Sequence, residues 1–307
     1  MKGHGNQQRI KFILFIGFFA TVFSAYAQIP ALEWANRIGG SDPSAGGAGI
    51  SIATDLSGNV FTGGTFTGTV DFDPGAGTSE ITSSFAQDGF IVKLDADGNF
   101  QWAKNMGGLV QSIAVDASGN VYATGWFTDD QLIGSFTLTN QGNSDIFIAK
   151  LDADGNFEWI NGIGGSESEQ GNSITINGSD IYLTGPYMDD VTFGSTTLSS
   201  ADGSQDIFVA KLDAGGNVIW AQSIGDNDLE EVTSIKAYSA GVYLTGSFYG
   251  SVDFDPGSGT ETLTSNGESD IFICALDDGG DFVWAKNIGS TAWDYGHPVD
   301  TAGQRRS

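Results

Sequence analysis

The chain has 307 residues, with 38 acidic against 12 basic side chains and a formal net charge of −26. That balance works against binding nucleic acid or anionic membranes, and a single cysteine excludes an intrachain disulfide. Only two histidines occur, His4 and His297, which rules out a His-based triad or a His-rich metal centre.

The first element is not part of a fold. Lys2, Arg9 and Lys11 form a basic start, residues 12–23 (FILFIGFFATVF) an apolar stretch, and Ala25-Tyr26-Ala27 a small-residue cleavage site. Residues 1–27 read as a secretory signal peptide, too short to anchor stably in a bilayer. Its removal leaves nine basic residues against 38 acidic ones. No later segment is apolar enough to insert into a membrane, so the expected location is secreted, extracellular or on the outer cell surface.

The next segment, LEWANRIGG (32–40), has the composition of a strand, with Leu32 and Trp34 on one face. Two phrases then recur through the chain. SIATDLSGNVFTGGTF starts at Ser51, and variants of it start at Ser112, Ser173 and Ser234. FIVKLDADGNFQWAKNMGG starts at Phe90, with variants at Phe147, Phe208 and Phe272. Repeats are expected near 51–111, 112–172, 173–233 and 234–294, with partial strands at 31–40 and 297–303. Each unit contains four strand-like runs, in the second copy 112–116, 121–127, 145–152 and 156–163. ASGN and ADGN turns supply the positive φ of tight hairpins. Four antiparallel strands at a fixed period predict an all-β fold, a β-propeller of four-stranded blades. A blade has two apolar faces and buries them only against neighbouring blades, so the repetition is a packing requirement.

Tight turns fall on one side of such a blade. The loops between second and third strands, and those between blades, fall on the other. The latter vary in length, so that face is the expected working face. Its candidate ligand-binding residues are Trp126, Tyr187 and Phe248, to which Trp293 is added as an aromatic able to stack on sugars, and Asp129, Asp130, Asp189 and Asp190. Packing between blades is the plainer role for the aromatics.

Two acidic patterns are candidates for calcium or for nothing more than turns. VDFDPG (70–75 and 252–257) puts Asp71 beside Asp73 and Asp253 beside Asp255, hard oxygens able to hold Ca²⁺. A turn at the end of a strand is the plainer reading. The turns Asp95-Ala96-Asp97-Gly98-Asn99 and Asp152-Ala153-Asp154-Gly155-Asn156 resemble half a calcium loop but lack the distal Glu, so plain hairpins are expected. The runs Glu167-Ser168-Glu169 and 226–231 read as solvated surface. Cys274 falls in a slot otherwise held by Val92, Ala149 and Ala210, and is expected in the core.

The C-terminal stretch 290–303 opens like a further unit and then breaks off at Gln304-Arg305-Arg306-Ser307, which suggests a truncated copy of a longer protein. Taken together, D-I-F-I-A-K-L-D-x-x-G-N-x-x-W, S-I-A-x-D-x-x-G-N-V-Y-x-T-G-x-F and VDFDPG resemble the SBBP-type β-propeller repeat of secreted Bacteroidetes-type proteins. The resemblance implies an exported propeller with no defined catalytic activity or resident cofactor. The favoured function is a non-enzymatic binding or scaffold module for an extracellular protein or glycan. A carboxylate-dependent carbohydrate hydrolase and a Ca²⁺-stabilised structural repeat are the alternatives.

Overall fold

The computed structural model describes residues 34–39, 45–200, 203–226 and 228–297. The expected signal peptide, with His4, and the broken unit after His297 lie outside them.

Each repeat folds as one four-stranded antiparallel sheet. In the first, β1 (Gly46–Thr54) and β2 (Val60–Thr67) precede a small hairpin, β3 (Thr69–Asp71) and β4 (Glu80–Thr82). Then β5 (Asp88–Leu94) and β6 (Phe100–Gly107) complete the order β1-β2-β5-β6. The second repeats this with β7 (Leu109–Val115), β8 (Val121–Phe127), the hairpin β9 (Gln131–Ile133) and β10 (Phe136–Leu138), β11 (Asp145–Leu151) and β12 (Phe157–Ile163). The third has β13 (Ser173–Asn177), β14 (Asp180–Met188), the hairpin β15 (Asp190–Phe193) and β16 (Thr196–Ser199), β17 (Gln205–Leu212) and β18 (Val218–Ile224). In the fourth, β19 (Glu230–Tyr238), β20 (Gly241–Asp253), β21 (Thr262–Asp277) and β22 (Phe282–Ile288) form the sheet. There the small hairpin is a continuation of β20 and β21, pairing Val252 with Leu263.

The sheets stack face to face, which makes the fold a β-propeller. Phe61 and Ile91 of the first sheet pack with Val121, Ala123 and Phe147 of the second. Ile146 and Ile148 pack with Ile181, Leu183 and Phe208 of the third. Ile207 and Val209 pack with Leu244, Phe272 and Cys274 of the fourth. The third strand of a blade is covered on both faces, which is why Asp145–Leu151 is buried at every position but Lys150. Each large side chain enclosed in this way contributes about 1.5–3 kcal/mol. Cys274 is fully buried, as its slot suggested, and burial pushes its thiol up to about 12.

Two polar contacts recur from each blade to the next. The Ser of the recurring SI pair accepts the backbone N–H of the Ile in the pair one blade on: Ser51 Oγ from Ile113 (3.1 Å), Ser112 Oγ from Ile174 (3.2 Å) and Ser173 Oγ from Ile235 (3.1 Å). The strand-four Trp donates its indole N–H to the turn of the following blade: Trp102 to Ala153 O (3.1 Å), Trp159 to Ala214 O (3.2 Å) and Trp220 to Asp278 O (3.1 Å). The indole lies on the turn glycine. At Gly155, φ is +80° and an added Cβ would stand 2.7 Å from Trp102, so both backbone angle and space demand glycine. Trp34 makes the same contact with Ala96 O (2.9 Å). Residues 34–39, expected as part of a strand, thus occupy the strand-four slot against the first blade without joining its sheet.

The first strands β1, β7, β13 and β19 line an axial cavity of about 690 Å³, walled by Ser, Thr and Ile side chains with Lys236 and Asn172.

Candidate functional site

The turn face repeats one turn, which the β13–β14 and β19–β20 hairpins alone replace with tighter ones among the described residues. In every DxxGN turn the first Asp accepts the backbone N–H groups two and four residues on, as Asp116 does from Ser118 (2.9 Å) and Asn120 (2.9 Å). Asp95, Asp152 and Asp213 do the same, and the side-chain amides of Asn99, Asn156 and Asn217 first, with these backbone bonds beside them, hold their carboxyls below the usual range. These are the hairpin braces that the plainer reading expected.

The link face diverges. It carries the blade-to-blade links, the small hairpins and the candidate ligand residues. The structure separates the three candidate aromatics. Tyr187 and Phe248 are fully buried, not exposed. Tyr187 bonds Ser223 Oγ (2.6 Å), and burial pushes its hydroxyl up to about 12. Phe248 lies edge-on to Phe254 at 5.3 Å. The correction is one of strand register. Tyr187 and Phe248 pair with the blade aspartates Asp206 and Asp270, whereas Trp126 pairs with Ile146 one residue further in. Their true counterpart in the second blade is therefore Phe127, opposite Asp145 and itself buried. Adjacent strand residues point to opposite faces. Trp293 is 54% exposed, stacked on Tyr295 at 6.1 Å.

Trp126 lines a groove of about 210 Å³ between the first and second blades. The backbone of Gly107, Gly108 and Leu109 contributes its lining along with Phe85, and Gln87, Thr128 and Asp129 supply polar groups. Thus Trp126 and Asp129, both singled out from the sequence, come together. Asp130 accepts the Asn140 N–H (2.9 Å) and steadies the neighbouring loop. Asp189 and Asp190 lie at the β14–β15 corner, away from that groove. Asp189 holds φ of 56°, an uncommon value outside glycine.

In VDFDPG the alternation sends Val and Phe inward and the acids outward. Phe72 packs on Phe66 and Phe90, and Phe254 on Phe248 and Phe272. Asp71 Oδ1 accepts the N–H groups of Asp73 (3.0 Å) and Ser79 (2.8 Å). Asp253 Oδ1 accepts those of Asp255 (3.1 Å) and Glu261 (2.8 Å). Asp73 and Asp255 brace the glycines at 75 and 257 at 2.7 and 2.8 Å. At least one oxygen of each carboxylate is therefore engaged in shaping its loop.

The acidic links hold a surprise for the sequence reading. Glu169 and Glu230, expected on solvated surface, are fully buried. Glu169 is pushed up to about 7, first by burial and then by the charge of Asp145, with the Gly165 N–H opposing (2.7 Å). Glu230 is pushed up to about 9, again by burial first and by Asp206 next. No sequence signal marked them beyond their place in a link, since composition does not report depth.

No protein-family model matches the chain. Among curated proteins, an uncharacterized WD repeat-containing protein of Acanthamoeba polyphaga mimivirus is 27% identical over 257 residues, covering 69% of this chain and 18% of that protein. Regulatory protein FlaEY of Caulobacter vibrioides is 27% identical over 160 residues, covering 50% of this chain and 16% of that protein. The chain thus spans less than a fifth of the length of either relative. Among solved structures, BamB from Moraxella catarrhalis aligns at a TM-score of 0.37 and 14% identity, over 77% of this chain and 61% of that one. A protein of unknown function from Bacteroides caccae aligns at 0.34 and 10% identity, over 81% and 85%.

Proposed function

We propose that the protein is an exported, non-enzymatic propeller of the SBBP kind that binds an extracellular protein or glycan on its link face. The observation that carries this reading is the groove between the first and second blades. There a partly buried indole, a second aromatic at Phe85 and the polar groups of Asp129 and Gln87 meet over bare Gly107–Gly108 backbone. An apolar plate beside a few fixed polar groups is the make-up of a recognition site. Export rests on the signal-like residues 1–27. A rigid sheet scaffold with divergent loops on one face supports a binding role.

The test is binding to arrays of oligosaccharides and cell-surface proteins. A ligand is expected whose signal falls about tenfold or more in Trp126→Ala, as loss of a central aromatic anchor does, while Trp293→Ala leaves it intact. Binding untouched by Trp126→Ala rejects the groove, and turnover of a glycan by the purified protein rejects the non-enzymatic reading.

A further inference from the structure

The junctions after the second and third blades bury acid against acid. In the second blade, Asp145 lies directly over Gly164, whose Cβ position is 2.1 Å from the carboxyl carbon. Glu169 takes the N–H of the next residue, Gly165. Two carboxylates therefore flank one dipeptide, whose Cα atoms are about 3.8 Å apart. Both side chains are fully buried, and Asp145 Oδ1 and Glu169 Oε1 have no hydrogen-bond partner. Around the Cβ position of Gly165 stand the carbonyl oxygen of Asp190 at 2.3 Å and Glu169 Oε1 at 3.5 Å. The charges bearing on Glu169 are Asp145, Glu167 and Asp189, all acidic. The next junction repeats the plan. Asp206 lies over Gly225 and accepts from Ser204 Oγ (3.1 Å), and Glu230 is buried under the charges of Asp206, Asp228 and Asp226, with the Asp226 N–H opposing them.

The first blade shows how the same position looks when it is satisfied by protein alone. There Asp88 receives Ser84 N (2.7 Å), Phe85 N (3.2 Å) and Asn105 Nδ2 (2.7 Å). The strand position of Asn105 is Gly162 in the second blade and Ser223 in the third, so the amide donor is lost where the second acid arrives.

We propose that each of these two junctions binds a divalent cation, calcium by the chemistry of its oxygens. One ion lies between Asp145 and Glu169, and the other at Glu230 beside Asp206. No set of three acidic, His or Cys side chains is arranged for a metal among the described residues, so carbonyls such as that of Asp190, and water, complete the shell. Ca²⁺ accepts such mixed oxygen sets, and sites this poor in charge hold it with Kd of roughly 10⁻⁴–10⁻³ M. The inference is independent of the groove at Trp126, which lies one junction away.

The experiment is calorimetric titration of the purified full chain with CaCl₂ at pH 7.5. The result expected is about two equivalents bound. Glu169→Gln and Glu230→Gln should each remove about one equivalent, and Asp73→Asn with Asp255→Asn should remove none. If a glutamine variant fails to fold, Glu169→Asp or Glu230→Asp, which draws the carboxylate back by one methylene, should weaken one equivalent about tenfold. No binding at 10 mM calcium (roughly ten times the weakest Kd expected), binding unchanged in the glutamate variants, or binding abolished by the Asp73/Asp255 pair overturns the proposal.

Discussion

The turn face and the link face of the same blades have been treated differently. On the turn face every outer hairpin solves one problem in one way: an Asp gathers the amides of a five-residue turn, and a Trp from the preceding unit lies on the turn glycine and bonds the carbonyl two residues before it. On the link face the first junction is short and its Asp is satisfied by Asn105. The second and third junctions are longer and set Glu169 and Glu230 against the blade aspartates. The contacts that define blade spacing are needed at every interface, so they recur. Once they are in place, the far ends of the strands are free to diverge, and that freedom is where binding chemistry has room.

The largest expected effect breaks the turn face. Trp159→Ala should destabilise the fold by about 2–3 kcal/mol in chemical denaturation, since it removes a half-buried aromatic and its bond to Ala214. Trp284→Ala, in the same slot of the fourth sheet but 36% exposed, should cost about 1 kcal/mol or less. Equal losses would mean that the inter-blade contact is not what holds the Trp.

The next prediction sharpens the link face. A buried carboxyl with a raised pKa keeps a proton in the folded state that the unfolded chain gives up. In calcium-free buffer the stability contributed by that proton is present at acid pH and is lost as pH rises. For Glu230 the loss runs from the ordinary value of 4.5 toward about 9, and for Glu169 toward about 7. The melting temperature should therefore fall between pH 5 and 9, and Glu230→Gln should flatten that fall. An unchanged slope in the variant would show that Glu230 does not titrate in this window.

The smallest effect returns to the turns. Asp116→Ala removes four hydrogen bonds at a partly exposed brace, the one from Tyr122 long at 3.5 Å, and should cost about 1 kcal/mol, read from the denaturation midpoint. No change would mean that glycine and strand pairing form the turn unaided.

Much of the architecture was legible because its signals are local. The VYATGWF run, the DADGN turn and the apolar-x-Trp spacing each specify backbone and face over a few residues, and the four sheets formed where they lie. The small hairpins were harder. Val70-Asp71-Phe72 and Val191-Thr192-Phe193 alternate correctly, but strands of three or four residues are too short to stand out from a loop. Of the candidate site, Trp126 and Asp129 were found together, while Tyr187 and Phe248 were displaced by a single residue of register, which turns a side chain from one face of a sheet to the other.

By itself, then, the sequence determined the repeat, the antiparallel sheets, the turn chemistry and the apolar faces that oblige the sheets to stack, because each depends on neighbours a few positions away. Only the tertiary structure decided which acids are buried. Glu167 and Glu169 are two residues apart in one polar run, and the first keeps contact with solvent while the second is enclosed between blades. Depth is set by what the adjoining blade covers, and carboxylates brought together there come from strand and link segments about 24 residues apart in the chain, a distance over which periodicity and composition carry no information.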